Sequence, residues 1–324
     1  MNKLYLADPA IRAEQIAAIQ RALPSNWSLA ETAAGATAIL SENVDITAAM
    51  MDEAGDGLRM IALLDTGNAT VVAPSTPGSA PSPIPIVVLP NTALVGVAEH
   101  AVMLIMALSR HLSAVARATN ERQWLPDRSE PILTDQQRYT YNWIGLEDFG
   151  TLYGKTVGLV GLGLIGRATA ARLRPFGMRL LYTQRNRLDE ATEARLGVQW
   201  RSLDALLAES DFVSLHHRFQ ADPPSNDNHI GEHELGLMKP TAYLINTARG
   251  RLVDEVALVD ALKRGQIAGA GLDVFRYEPL PDDHPLFDLA GDNVILTPHV
   301  GGAPVVEAWE TIARELVEHL NTVS

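Results

Sequence analysis

Short apolar runs rich in Val, Ile and Leu, bounded by turn residues, alternate along the chain with longer stretches in which apolar positions recur every three or four residues. That alternation is the pattern of parallel sheets covered by helices. It occurs twice. The first series predicts strands at 4–6, 37–40, 60–64 and 86–89, with helices near 11–22 and 45–53. A helical period then holds from Val97 to about Ala118, while 120–150 has no clear period and reads as an extended arm. The second series predicts six strands, at 156–160, 179–183, 212–215, 243–246, 269–274 and 294–296, which suits a dinucleotide-binding sheet. A closing helix over 305–320 is expected to return to the first series and make that domain discontinuous. Pro74, Pro77, Pro81, Pro83 and Pro85 exclude a helix between the third and fourth strands and predict a loop there.

With 324 residues the chain has room for two domains. The expectation is an α/β protein of two Rossmann-like domains, each a doubly wound parallel sheet. Residues 1–99 and 302–324 would form a flavodoxin-like substrate domain, and 100–301 the dinucleotide-binding domain. Twenty-six basic against 39 acidic residues leave a net charge of -13, which disfavours nucleic acid and anionic membranes as partners. The absence of cysteine excludes disulfides, cysteine nucleophiles and thiolate metal sites. No metal is expected: His229 and His233 could share a helix face, but no third ligand accompanies them. The first apolar run, Leu4 to Ala7, is too short for a signal peptide, so a cytoplasmic location is expected.

Gly161-Leu162-Gly163-Leu164-Ile165-Gly166 follows an apolar strand and opens a helical stretch, the context that a G-x-G-x-x-G motif needs to bind a dinucleotide. Gly161 permits the turn, Gly163 admits the pyrophosphate, and Gly166 lets helix and strand approach; Leu164 and Ile165 begin the helix whose amides face the anion. At the end of the next strand, where a free ribose 2′-hydroxyl would want a carboxylate, the chain reads Gln184-Arg185-Asn186-Arg187. Two guanidinium groups there suit a 2′-phosphate, so NADP(H) is favoured over NAD(H).

Asn246-Thr247-Ala248-Arg249-Gly250, Asp273-Val274-Phe275-Arg276-Tyr277-Glu278-Pro279 and Thr297-Pro298-His299-Val300-Gly301-Gly302 stand at the ends of predicted strands. Together with Leu152-Tyr153-Gly154-Lys155-Thr156 and Val97-Ala98-Glu99-His100, they resemble the D-isomer-specific 2-hydroxyacid dehydrogenase family, in family order from about Tyr153 to Gly302. The resemblance implies that Arg249 binds the substrate carboxylate and carbonyl oxygen, that His299 is the acid/base, and that Glu278 orients it. Asp273 resembles the family's nicotinamide carboxamide ligand, and His216, Thr247, Ala248 and Gly301 its cofactor-lining positions; Arg218 stands where the family has proline two residues after His216, and the resemblance thereby implies another cation near the cofactor. Hydride transfer to a 2-oxo carbon leaves alkoxide charge, which an imidazolium can neutralise and which a carboxylate behind it makes easier. Asp65, Thr66 and Gly67 fall where the family cradles the substrate carboxylate, although Asp65 is an unhelpful charge there and the proline-rich stretch replaces a helix. Implied with the family are an active site in the interdomain cleft, a small 2-oxo or 2-hydroxy acid substrate, D-stereospecificity, a glyoxylate/hydroxypyruvate type of reduction, and a homodimer paired through the cofactor domain. The alternative from another class is a cofactor-sensing, co-repressor-like interaction protein on the same fold.

Overall fold

The computed structural model describes residues 1–9, 11–42, 44–64, 71, 84–89, 93–147, 149–302 and 306–323. The chain divides into two compact units, Met1–Gly96 with Gly302–Ser324, and Val97–Gly301.

The first unit contains β1 (Asn2–Leu6), α1 (Ala13–Ala22), β2 (Trp27–Ala30), β3 (Ala38–Ser41), α2 (Ala48–Ala54), β4 (Met60–Leu64) and β5 (Ile86–Leu89). Its sheet is wholly parallel in the order β2-β1-β3-β4-β5. That order, with its reversal beside the first strand, is the flavodoxin-like winding. β4 is buried at every position, as a parallel strand covered on both faces must be.

α3 (Ala93–Ser109) begins in the first unit and belongs to the second from Val97 on; it and α4 (Leu112–Asn120) lead through an arm without strands to β6 (Thr156–Val160), α5 (Leu164–Leu173), β7 (Arg179–Thr183), α6 (Glu190–Leu196), β8 (Val198–Trp200), α7 (Leu203–Glu209) and β9 (Phe212–Leu215). Then come α8 (Glu232–Leu237), β10 (Tyr243–Asn246), α9 (Glu255–Lys263), β11 (Gly269–Leu272), α10 (Leu286–Leu289) and β12 (Val294–Leu296). The last helix, α11 (Val306–Val323), belongs to the first unit. It buries Trp309, Ile312, Ala313, Leu316 and Leu320, which share one helical face, in the core formed by Leu4, Leu40, Met60 and Leu89.

The second sheet runs β12-β11-β10-β9-β6-β7-β8, again wholly parallel. Strand order reverses between β6 and β9, and ligands of open parallel sheets bind beyond the carboxyl ends at such a point. Seven strands replace the six expected. β8 has three residues and β2 has four at a sheet edge, too short to carry an alternation that sequence alone would register. α3 buries Ala98, Ala101, Leu104, Ile105 and Leu108, and among the described residues no single helix is long and apolar enough to cross a membrane.

Candidate active site

β6 leads into Gly161 at φ +95°, a conformation that a side chain rarely adopts. A Cβ there would also stand 2.7 Å from the backbone nitrogen of His217, at the end of β9 across the switch point. Gly163 caps α5, and the space where its Cβ would project contains no protein atom within 4 Å. At Gly166 a Cβ would fall 2.4 Å from the carbonyl oxygen of Gly161, so helix and loop are in direct contact. The first turn of α5, carrying Leu164 and Ile165, therefore presents amides to open space that a pyrophosphate can enter. Two buried polar atoms beside this face, Thr247 Oγ1 beyond β10 and His216 Nδ1 beyond β9, have no partner among the described residues. Buried polar atoms are ordinarily paired, so these fit a polar ligand along the strand ends, and the site suits a nicotinamide dinucleotide.

Beyond β7, Gln184 accepts from the Leu162 amide at 3.3 Å and donates to the Asn186 carbonyl at 2.7 Å, tying this loop to the glycine turn. Arg187 departs from the sequence expectation. Its Nε and Nη2 lie 2.8 and 2.9 Å from the two carboxylate oxygens of Glu193, and Tyr182 Oη donates to the same carboxylate at 2.7 Å. Arg187 and Tyr182 together hold the Glu193 carboxyl below its ordinary range. A carboxylate eleven residues beyond Tyr182 thus occupies the guanidinium meant for a 2′-phosphate. Arg185 is exposed and has no hydrogen bond or ion pair among the described residues, which leaves it as the cation at this edge. Arg218 is exposed as well, with its carbonyl accepting from Asn226 Nδ2.

The three family-like segments sit at the carboxyl ends of β10, β11 and β12, which are neighbours in the sheet. After β10, the Asn246 side chain donates to the Arg249 carbonyl at 2.9 Å and accepts from the Ala248 amide at 3.1 Å. This turn leaves Arg249 exposed, with Nη1 on the Ala248 carbonyl at 2.6 Å and the rest of its planar fork without a described partner. A Cβ on Gly250 would lie 1.9 Å from the Phe275 carbonyl carbon, so the Arg249 turn is pressed against the β11 loop. In that loop Glu278 accepts from the Phe275 amide at 2.9 Å through Oε1, while Oε2 lies 2.6 Å from His299 Nδ1. His299 is half-exposed, and its backbone is left-handed at φ 53°. A non-glycine residue pays about 1–3 kcal/mol for such a conformation and holds it only where its surroundings impose it.

Asp273, at the end of β11, provides much of that imposition. Its Oδ1 accepts from Thr297 Oγ1 at 2.6 Å and from the Val300 amide at 2.9 Å, and its Oδ2 accepts from the Gly301 amide at 2.8 Å. Burial by itself would raise this carboxyl, but His100, Thr297 and the two amides more than offset it and carry the group down to about 2. Asp273 and Gly301, read from the sequence as cofactor contacts, are thus bonded to each other. No role for His100 is legible in the sequence, because its partners lie 173 and 197 residues away.

His216 Nε2 bonds Ser214 Oγ at 2.9 Å, and burial, with His217 nearby, depresses it to about 3. His217 Nδ1 lies 3.2 Å from the Val160 carbonyl and its Nε2 2.9 Å from His229 Nδ1; burial and His229 depress it to about 4. His229 therefore meets His217, not His233, which is on α8. Asp65, Thr66 and Gly67 lie outside the described residues, as does most of the proline-rich stretch.

A family model described as "D-isomer specific 2-hydroxyacid dehydrogenase, NAD binding domain" matches residues 102–301. The chain belongs to the D-isomer specific 2-hydroxyacid dehydrogenase family. Within it, the chain is 38% identical over 302 residues to a glyoxylate reductase of Korarchaeum cryptofilum, covering 92% of this chain and 82% of that one. It is 43% identical over 225 residues to a glyoxylate reductase of Pyrococcus furiosus, covering 69% of this chain. That match spans 61% of the relative's length. Among solved structures, a glyoxylate reductase from Paecilomyes thermophila superposes with a TM-score of 0.62 at 25% identity, over 99% of this chain and 94% of the other.

Proposed function

We propose that the protein reduces a small 2-oxo acid of the glyoxylate or hydroxypyruvate type to the D-2-hydroxy acid, with NADPH used in preference to NADH. The observation that carries this reading is the His299–Glu278 pair, placed one strand from the exposed fork of Arg249 and on the same sheet edge as the glycine loop. A bound nicotinamide supplies the hydride. His299, with Nδ1 engaged by Glu278, delivers a proton from Nε2 to the substrate oxygen as alkoxide charge develops there. The Glu278 carboxylate fixes the ring and balances the imidazolium charge before the proton leaves. Arg249 offers two parallel donors to the substrate carboxylate, which sets the carbonyl relative to His299. His216 Nδ1 and Thr247 Oγ1 give the cofactor polar partners.

Arg185 and Arg218 support NADP(H), since both are exposed cations on segments that flank the cofactor face; Glu193 weakens the contribution of Arg187. The relatives named glyoxylate reductase support the substrate class. The reading includes a cytoplasmic homodimer joined through the cofactor domain. An apolar recess of about 580 Å³ on α3, lined by Val102, Met103, Met106, Ala107, Leu112 and Phe176, supports such pairing.

Glyoxylate, hydroxypyruvate, pyruvate and bulkier branched or aromatic 2-oxo acids, each assayed with NADPH and NADH, test the whole reading. The expected result is the highest kcat/KM with glyoxylate or hydroxypyruvate and NADPH. Oxidation of neither cofactor by any of these acids would refute the enzyme reading; equal or better use of NADH would remove the cofactor preference.

A further inference from the structure

The left-handed backbone of His299 raises the question of what holds it. Two amides immediately after it, Val300 and Gly301, end on the two oxygens of Asp273. Two residues before it, the Thr297 hydroxyl also ends on Asp273 Oδ1, and the His299 amide donates to the Thr297 carbonyl at 3.0 Å. The hinge of the acid/base loop is therefore fastened on both sides to one carboxylate.

That carboxylate has one further partner. His100 on α3 places Nε2 2.9 Å from Thr297 Oγ1 and 3.3 Å from Asp273 Oδ1, with its side chain mostly buried. The single hydroxyl hydrogen of Thr297 is directed to Asp273, so the Thr297 oxygen accepts and Nε2 of His100 carries the proton. α3 lies flush on β11: a Cβ on Gly271 would be 3.1 Å from Leu104 Cβ. The imidazole is thus carried to the strand end by a rigid helix. Gly301 lies on the ring as well, since a Cβ there would stand 3.4 Å from both Cβ and Cδ2 of His100.

We propose that His100 is a positioning residue for the acid/base His299, acting through Thr297 and Asp273 and touching neither substrate nor cofactor. This rests on the reading of His299 as the acid/base. The imidazole orients the Thr297 hydroxyl toward Asp273 and shares that carboxylate with the two amides that follow His299. Without it, Thr297 loses its donor, Asp273 rotates within its site, and His299 no longer keeps one geometry. A displacement of this kind costs rate rather than binding.

The test compares His100→Ala, His100→Gln, Thr297→Val and the double variant His100→Ala/Thr297→Val with the parent and with His299→Ala. Readouts are kcat with the best 2-oxo acid, NADPH dissociation by fluorescence, melting temperature, and hydrogen exchange at the Val300 and Gly301 amides of the free protein. Glutamine can place an amide N–H where His100 has Nε2–H, so it serves as the conservative variant. His100→Ala is expected to lower kcat about 10–100-fold, with NADPH dissociation within about threefold and faster exchange at both amides. His100→Gln restores most of the rate, Thr297→Val matches the loss, and the double variant is no worse than the poorer single one.

A kcat for His100→Ala or Thr297→Val within about threefold of the parent overturns the proposal, as do multiplying losses in the double variant. Unchanged amide exchange, or a well-folded His100→Gln no faster than His100→Ala, overturns it too. Should His100→Ala not fold, Thr297→Val and His100→Gln decide by the same criteria. Near-parent rates in His299→Ala would instead sink the underlying reading of the site, whereas loss there with normal His100 variants would sink this inference alone.

Discussion

His299 Nδ1 lies 2.6 Å from Glu278 Oε2 across 21 residues of sequence, bringing the loops after two neighbouring strands into one hydrogen bond. Its geometry assigns work to each side chain: Glu278 is spent on Nδ1 and the Phe275 amide, and Nε2 of His299 is left for chemistry. Glu278→Gln keeps an acceptor but removes the charge behind the imidazolium. The expected outcome is a fall in reductive kcat of about 10²-fold with substrate KM within about threefold, measured in steady state. A changed KM at unchanged kcat would assign Glu278 to binding instead.

Gly163 and Gly166 stand three residues apart and have opposite surroundings. Gly163→Ala places its methyl in open space, so stability should stay within about 0.5 kcal/mol while the dinucleotide dissociation constant rises at least about tenfold. Gly166→Ala drives its methyl into the Gly161 carbonyl, and stability should fall by about 1–3 kcal/mol. Denaturant unfolding together with fluorescence titration of NADPH separates the two effects.

At the ribose edge, the pairing of Arg187 with Glu193 predicts unequal arginines. Arg185→Ala should raise KM for NADPH about tenfold and leave KM for NADH nearly unchanged. Arg187→Ala should do less to the NADPH preference, and it leaves the Glu193 carboxylate with the Tyr182 hydroxyl but without its guanidinium partner. Comparing KM for the two cofactors in each variant checks this directly.

His216 and His217 are neutral in the folded protein, since burial depresses them to about 3 and about 4 from an ordinary 6.5. The unfolded chain takes up these protons as pH falls below about 6.5, and the folded chain does not until near 4. Their effect on stability is therefore absent above about pH 7 and grows unfavourable as pH falls toward 4. Melting temperature should decline across that window, and His217→Asn should reduce the slope by up to about 1.4 kcal/mol per pH unit. An unaltered slope would mean that His217 is protonated in the folded state.

Most of the sheet positions were legible because parallel strands buried on both faces are continuous apolar runs, as at Thr156–Val160 and Phe212–Leu215. Trp27–Ala30 and Val198–Trp200 escaped because edge strands this short are decided by pairing with a distant neighbour, not by local pattern. The same limit governs the site. The glycine loop is local and could be read; the occupation of Arg187 by Glu193 depends on how α6 folds back under β7. His100 was visible as a residue, but its contacts with Asp273 and Thr297 exist only once α3 is laid across β11.

The proposed reduction depends most on a proton delivered by His299. Steady-state reduction of glyoxylate by His299→Ala, with NADPH binding measured in parallel, tests it most directly. The expected result is a loss in kcat of about 10³-fold or more at a cofactor dissociation constant within about threefold of the parent. A kcat within about tenfold of the parent, in a variant that folds and binds NADPH normally, would contradict it.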